Sequence, residues 1–231
     1  WASEEKEEEE EAKQGDEGSG NVVLTSSSGA TITLADGWTF AAEGDITDVS
    51  PAKGQYGTKV VISGTSLLGG GTTVASLTVN GVDAKSVGDA SADLIELVID
   101  SGSAGTGAIV ITSDSGAIVT KADAFEYLDE AVFDDVTPNS GQIGTKVVIS
   151  GSGMLQGGTE AETVSFGSIS TTIESGSDTE IKVTVDASGT ADEVADIVVV
   201  ADTGSVATAT DAYTSVAAGE IADVEPTSGQ D

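Results

Sequence analysis

Residues Ile46 to Gly64 return almost unchanged as Phe133 to Gly151, and the same phrase begins again at Ile221 and runs to Gln230. The step from Pro51 to Pro138 is 87 residues, and from Pro138 to Pro226 it is 88. Self-similarity at a fixed period sets the structural unit before any local signal is weighed. A unit of this size can bury one modest core. The 231 residues therefore divide into 1–43, an acidic segment plus the closing part of one repeat; 44–130 and 131–218, two complete repeats; and 219–231, the opening strand of another. The pattern reads as a stretch of a longer array.

Charge narrows the function classes. The formal net charge is -32, from 40 acidic residues against 8 basic ones. Nucleic-acid binding needs clustered positive charge to neutralise phosphates, so no nucleic-acid partner is expected. The same balance repels an anionic membrane surface. There is no cysteine and no histidine, which removes disulfides, His or Cys metal sites, and Cys-His or Ser-His catalytic pairs. No apolar run approaches the roughly 18–20 residues of a membrane-spanning helix, so this segment is not expected to insert into a membrane.

Ser3 to Glu17 is a polar, acidic tract without apolar periodicity, expected to be solvated. From Asn21 the pattern turns to β. Val22 to Leu24, Ser28 to Ala30 and Trp38 match Ile109 to Ile111, Ser115 to Ala117 and Phe125 one period later, then Ile197 to Val199, Thr203 to Ser205 and Tyr213. Residues 21–43 are thus the closing hairpin of a repeat, and Trp38, Phe125 and Tyr213 share one position where a core role is expected. Within the whole units, short Val-, Ile- and Thr-rich runs alternate with Gly, Ser and Asp turns. These are Lys59 to Ser63, Val74 to Val79 and Leu94 to Ile99, then Lys146 to Ser150, Val164 to Phe166, Thr171 to Ile173 and Ile181 to Val185. The fold class read from this pattern is all-β, tandem antiparallel sandwiches arranged as beads on a string.

The ordered set Val49-Ser50-Pro51, Gly54, Gly57-Thr58, Val60 to Gly64, Gly116 and Phe125 to Tyr127 resembles the IPT/TIG domain, an immunoglobulin-like module. The second unit repeats it with Pro138, Gly141, Gly144-Thr145, Gly151, Gly204 and Tyr213. Leu67-Leu68 and Met154-Leu155 stand where the family often has an aromatic. The resemblance implies a non-catalytic module, so no catalytic residue and no enzyme are expected.

The repeated prolines suit edge positions, and Gly64 and Gly151 suit a strand end with positive φ or close backbone approach. Alternation points Lys59 and Lys146 outward. Asp48, Asp135 and Asp223 recur at one position near the junctions, beside Glu43, Asp45, Asp129, Glu130, Asp134 and Glu220. Carboxylates gathered there would supply the oxygen ligands that calcium prefers, which makes calcium the one cofactor the residues suggest. The functional expectation is a structural protein of the cell surface or an extracellular appendage: a stalk, adhesin or fibre. Its partners would be copies of itself, even a self-assembling filament, or other surface proteins. Two alternatives stay open, an accessory module of a secreted polysaccharide-active enzyme and a receptor ectodomain binding a protein ligand.

Overall fold

The computed structural model describes residues 18–229, and the tract Ser3 to Glu17 lies outside the described residues. β1 (Gly18–Thr25) and β2 (Thr31–Phe40) form a two-stranded antiparallel hairpin. The first whole repeat contains β3 (Asp45–Ser50), β4 (Lys53–Gly54), β5 (Lys59–Thr65), β6 (Val74–Val79), β7 (Val82–Asp83), β8 (Ser86–Ala90), β9 (Leu94–Val98), β10 (Gly105–Ser113) and β11 (Ile118–Tyr127). The second contains β12 (Val132–Thr137), β13 (Ser140–Gly141), β14 (Lys146–Ser152), β15 (Ala161–Phe166), β16 (Ile169–Gly176), β17 (Glu180–Val185), β18 (Val194–Ala201) and β19 (Val206–Ser215).

Each whole repeat is an immunoglobulin-like sandwich. In the first, one sheet is ordered β3-β5-β9-β8 and the other β4-β11-β10-β6-β7. The second repeats this as β12-β14-β17-β16 and β15-β18-β19-β13. There β16 pairs with both β15 and β17, doing the work of the separate β7 and β8. The β6–β7 turn is Asn80-Gly81, both at positive φ, which matches the twist of a two-residue hairpin.

Alternation explains the packing. Val60 and Ile62 of β5 point inward, as do Ile109 and Ile111 of β10, while Lys59 and Lys146 stay exposed. Each repeat has its own buried cluster. The first includes Leu67 and Leu68, the second Met154 and Leu155, so aliphatic side chains fill the places where an aromatic is often found. Phe125 and Tyr127 meet edge to face at 5.3 Å, and Tyr213 stacks obliquely on Phe166 at 4.4 Å.

Three sequence expectations change. Gly64 and Gly151 do not end their strands, which continue to Thr65 and Ser152, and neither has a positive φ. Close approach is the real constraint, because a Cβ would collide with the carbonyl of Asp45 or Val132 across the ladder. Trp38 is 60% exposed where Phe125 and Tyr213 are at most 1% exposed. The reason is that β1–β2 has no partner strands among the described residues. Ile221 to Gly229 likewise joins no ladder, because an opening strand needs a sheet to pair with.

Candidate functional site: the joint between the repeats

The two sandwiches meet where the β18–β19 turn of the second lies on the β4–β5 loop of the first. Two main-chain hydrogen bonds cross the boundary. Lys59 N–H donates to the Thr203 carbonyl at 2.9 Å, and Val206 N–H donates to the Tyr56 carbonyl at 2.8 Å. The contact is a short antiparallel bridge between domains.

Glycine permits it on both sides. Gly57 (φ 86°) and Gly204 (φ 83°) adopt the left-handed region, and the turn geometry requires that at each. They also press together: a Cβ on Gly57 would stand 2.8 Å from the Gly204 carbonyl oxygen. On the flank, a Cβ on Gly157 would stand 3.1 Å from Leu128 Cδ1.

Polar side chains hold both halves in shape. Gln55, only 2% exposed, donates Nε2–H to the carbonyls of Gly102 (2.7 Å) and Leu128 (2.9 Å). Thr58 Oγ1 donates to the Gln55 carbonyl at 2.6 Å, which closes the loop. The Tyr56 ring lies under the Lys85 ammonium, 3.9 Å from the ring centroid, and its hydroxyl accepts a bond from it. Within the second repeat, Asp202 accepts from Thr159 Oγ1 (2.6 Å) and Thr159 N–H (2.9 Å), tying the Gly157 loop to the Gly204 turn. These bonds hold the Asp202 carboxyl below the usual carboxylate range. In the first repeat the same clamp, Thr72 Oγ1 and the N–H groups of Thr72 and Thr73 on Asp114, pulls that carboxyl down to about 2. A cavity of about 250 Å³ at the joint is lined by Gln55, Tyr56, Glu130, Gln156 and Val206, and the Gln156 Oε1 facing it is buried with no hydrogen-bond partner.

The junction aspartates do not converge. Asp48 and Asp135 sit on β3 and β12 just after a bulge in each ladder, on the exposed side. Asp135 accepts from Thr137 Oγ1, and Asp223 accepts from the Val224 N–H. Among the described residues no group of three or more Asp, Glu, His or Cys is placed to hold a metal ion. The sequence reading missed the joint itself, because a carbonyl at Tyr56 leaves no side-chain signature. Its only trace is the glycine shared by Gly57 and Gly144, and by Gly116 and Gly204.

Fold and joint together define a tandem immunoglobulin-like protein. The chain belongs to the IPT/TIG domain family, whose model matches residues 45–127 and 131–215. This agrees with the resemblance carried by the repeated motif. Among solved structures, the Plexin A4 full extracellular region is similar with a TM-score of 0.51 and 22% identity, over 80% of this chain and 16% of that one. A surface glycan-binding protein, SGBP-B from a xyloglucan utilization locus of Bacteroides uniformis, gives 0.31 and 13%, over 75% of this chain and 50% of that one. SGBP-B of the Bacteroides ovatus mixed-linkage glucan locus, solved with a heptasaccharide, gives 0.32 and 16%, over 87% and 55%. The plexin likeness shows the fold alone. The chain spans about half of the glycan-binding proteins and a small part of the plexin chain. No curated protein matches it.

Proposed function

We propose that this chain is a non-catalytic structural segment of an extracellular or cell-surface protein, a stalk, adhesin or fibre whose working part is the joint. The observation that carries the reading is the backbone bridge between Tyr56-Gly57-Lys59 and Thr203-Gly204-Val206. It fixes one sandwich against the next across the four residues between β11 and β12. A spacer needs a fixed relation between neighbours more than it needs a pocket. Membership of a non-catalytic immunoglobulin-like family supports the same conclusion. Antibody labelling of intact source cells tests the location: labelling without permeabilisation is expected, and labelling only after permeabilisation would overturn the reading.

Calcium at Asp48, Asp135 and Asp223 belongs to this proposal in a loose form. Each joint offers one repeated carboxylate, so an ion would need neighbouring carbonyls and water for its remaining ligands. Calcium in the millimolar range is expected to raise the unfolding temperature, with EDTA reversing it. An equal rise with magnesium would indicate screening of the net charge instead.

A further inference from the structure

Two glutamines are buried at the joint, and only one of them is satisfied. Gln55 uses its whole amide: Nε2–H donates to the Gly102 and Leu128 carbonyls, and Oε1 accepts from the N–H groups of Tyr56 (3.1 Å) and Gly102 (3.2 Å). Gln156 is 4% exposed, and its Oε1 is buried with no hydrogen-bond partner. A buried acceptor without a donor or cation costs stability. The backbone adds to that cost, because Gln156 holds a left-handed φ of 47°. Its equivalent one period earlier is Gly69, which takes the same conformation (φ 49°) freely. Two costs at one residue point to a role that offsets them.

The cleft that Gln156 lines is shared by both repeats and the segment between them. Gln156 comes from the second repeat, Gln55 and Ser101 from the first, and Glu130 from the four residues that link β11 to β12. This cleft of about 250 Å³ shares Gln55, Ser101 and Glu130 with a neighbouring one of about 540 Å³, which Asp129 also lines. Neither carboxylate is paired: the ion pairs among the described residues are Lys146–Glu174 and Lys182–Glu180. No lysine lines either cleft. Lys85, which contacts Tyr56, is engaged by that ring and its hydroxyl. Amide and carboxylate oxygens thus line one space with no positive charge in its walls.

An all-oxygen set selects a hard cation. Calcium takes carboxylates, glutamine carbonyls and water in variable number and geometry. Magnesium demands a near-ideal octahedron with shorter bonds and gives up its water reluctantly. Ligands drawn from two domains and a linker suit the more permissive ion. One period earlier, between β2 and β3, the set is only half present. The acid is kept there as Glu43, but the amide is not, since its place is taken by Gly69, and both line the cleft beside Val119. The side chain of Gln156 is what sets the joint between the whole repeats apart.

We infer that this cleft is a calcium site that ties the two whole repeats together. Gln156 Oε1 and the Glu130 carboxylate are its protein ligands, water completes the shell, and Asp129 adds negative charge at the mouth. Bound calcium satisfies the buried oxygen and neutralises carboxylates gathered at the joint, so it stiffens the hinge alongside the main-chain bridge. The site is separate from Asp48 and Asp135, which lie on β3 and β12. The inference rests on the joint being the working part and deepens that reading, without depending on where the protein resides.

Calorimetric titration of the 231-residue chain with calcium tests it, in high salt and excess magnesium so that diffuse binding to the 40 acidic residues is screened. Expected is one saturable site per chain. Gln156→Gly installs the residue that Gly69 already supplies, at a φ glycine adopts freely, and is expected to weaken binding by about tenfold or more. Glu130→Gln changes one exposed charge and is expected to weaken it at least as much. Asp48→Asn/Asp135→Asn removes the looser carboxylates and is expected to keep the site. By NMR, calcium is expected to shift the amide signals of Glu130 and Gln156 in step. Absence of a saturable site would overturn the inference and leave water alone on Gln156. So would a site that either Gln156→Gly or Glu130→Gln leaves unchanged, or one that Asp48→Asn/Asp135→Asn abolishes. None of these results touches the main-chain bridge or the surface-labelling test.

Discussion

Lys59 and Thr203, far apart in sequence, share a main-chain hydrogen bond of 2.9 Å that belongs to neither sandwich alone. With its companion from Val206 to Tyr56 it ties two independently cored domains through backbone atoms. The first prediction follows from the glycines that permit it. Gly204→Val meets both a left-handed φ and the Gly57 carbonyl, whereas Gly116→Val meets only the φ. The conformational cost common to both is about 1–2 kcal/mol. Gly204→Val is expected to lose that much and also to free the sandwiches, seen as separate tumbling by NMR relaxation. Gly116→Val should be destabilised with the joint intact. Equal relaxation in the two variants would refute the assignment.

The clamp carboxylates predict an acid response. Bonds from Thr72 and Thr73 pull Asp114 down to about 2, below its unfolded value near 4. A depressed carboxyl contributes stability that is present above the unfolded pKa and lost as pH falls through the folded one. Asp202, also depressed, acts in the same direction. The opposing effect is relief of charge repulsion as the other acids protonate. The comparison that isolates the clamps is wild type against Asp114→Asn/Asp202→Asn. The stability gap between them is expected to be widest at neutral pH and to shrink from about pH 4 to pH 2.

Tyr127 predicts the alkaline side. Its hydroxyl is buried with no partner, and desolvation, aided by the Asp100 carboxylate, pushes it up to about 12. A raised phenol favours the folded state below the unfolded pKa of about 10, and that contribution disappears as pH climbs toward 12. Tyr127→Phe removes an unsatisfied polar group without a change of shape. It is expected to be neutral or stabilising by up to about 1 kcal/mol in urea titration, and to unfold at a higher pH than wild type.

Lys121 and Ala209 occupy one repeat position and explain a difference between the cores. Lys121 Nζ donates to the Ile46 carbonyl of β3. Ala209 has no such reach, and a cleft of about 540 Å³ separates β12 from β19 beside Phe133 and Val136. Ala209→Lys is expected to stabilise the second repeat by about 0.5–1.5 kcal/mol through the equivalent bond to Phe133, and Lys121→Ala to destabilise the first by a similar amount. Urea midpoints of the two variants check both signs.

Much of the sandwich was legible because burial inside a repeat follows a period of two. Val60 and Ile62 alternate with exposed or half-buried neighbours. Trp38 was misread for a reason periodicity cannot express: a face is buried only if the strands that cover it are present. Gly64 was legible in part: close backbone approach was expected and is found, but inside the ladder and not at the end of the strand. The joint was illegible because its bonds come from carbonyls and amides, which every residue has. The difference between a buried Gly57 and an open Gly144 lies in what stands opposite, and identical letters cannot record it.

A bridge of main-chain atoms has a consequence for how such a chain can change over time. Loop and turn recur within every period of 87 or 88 residues, so duplicating one period copies a complete plug and socket together. Copy number can then grow or shrink by recombination without any new contact having to evolve. Side chains that do not shape the two loops are free to drift, while the glycines and the loop-closing Gln55, Thr58 and Asp202 must stay.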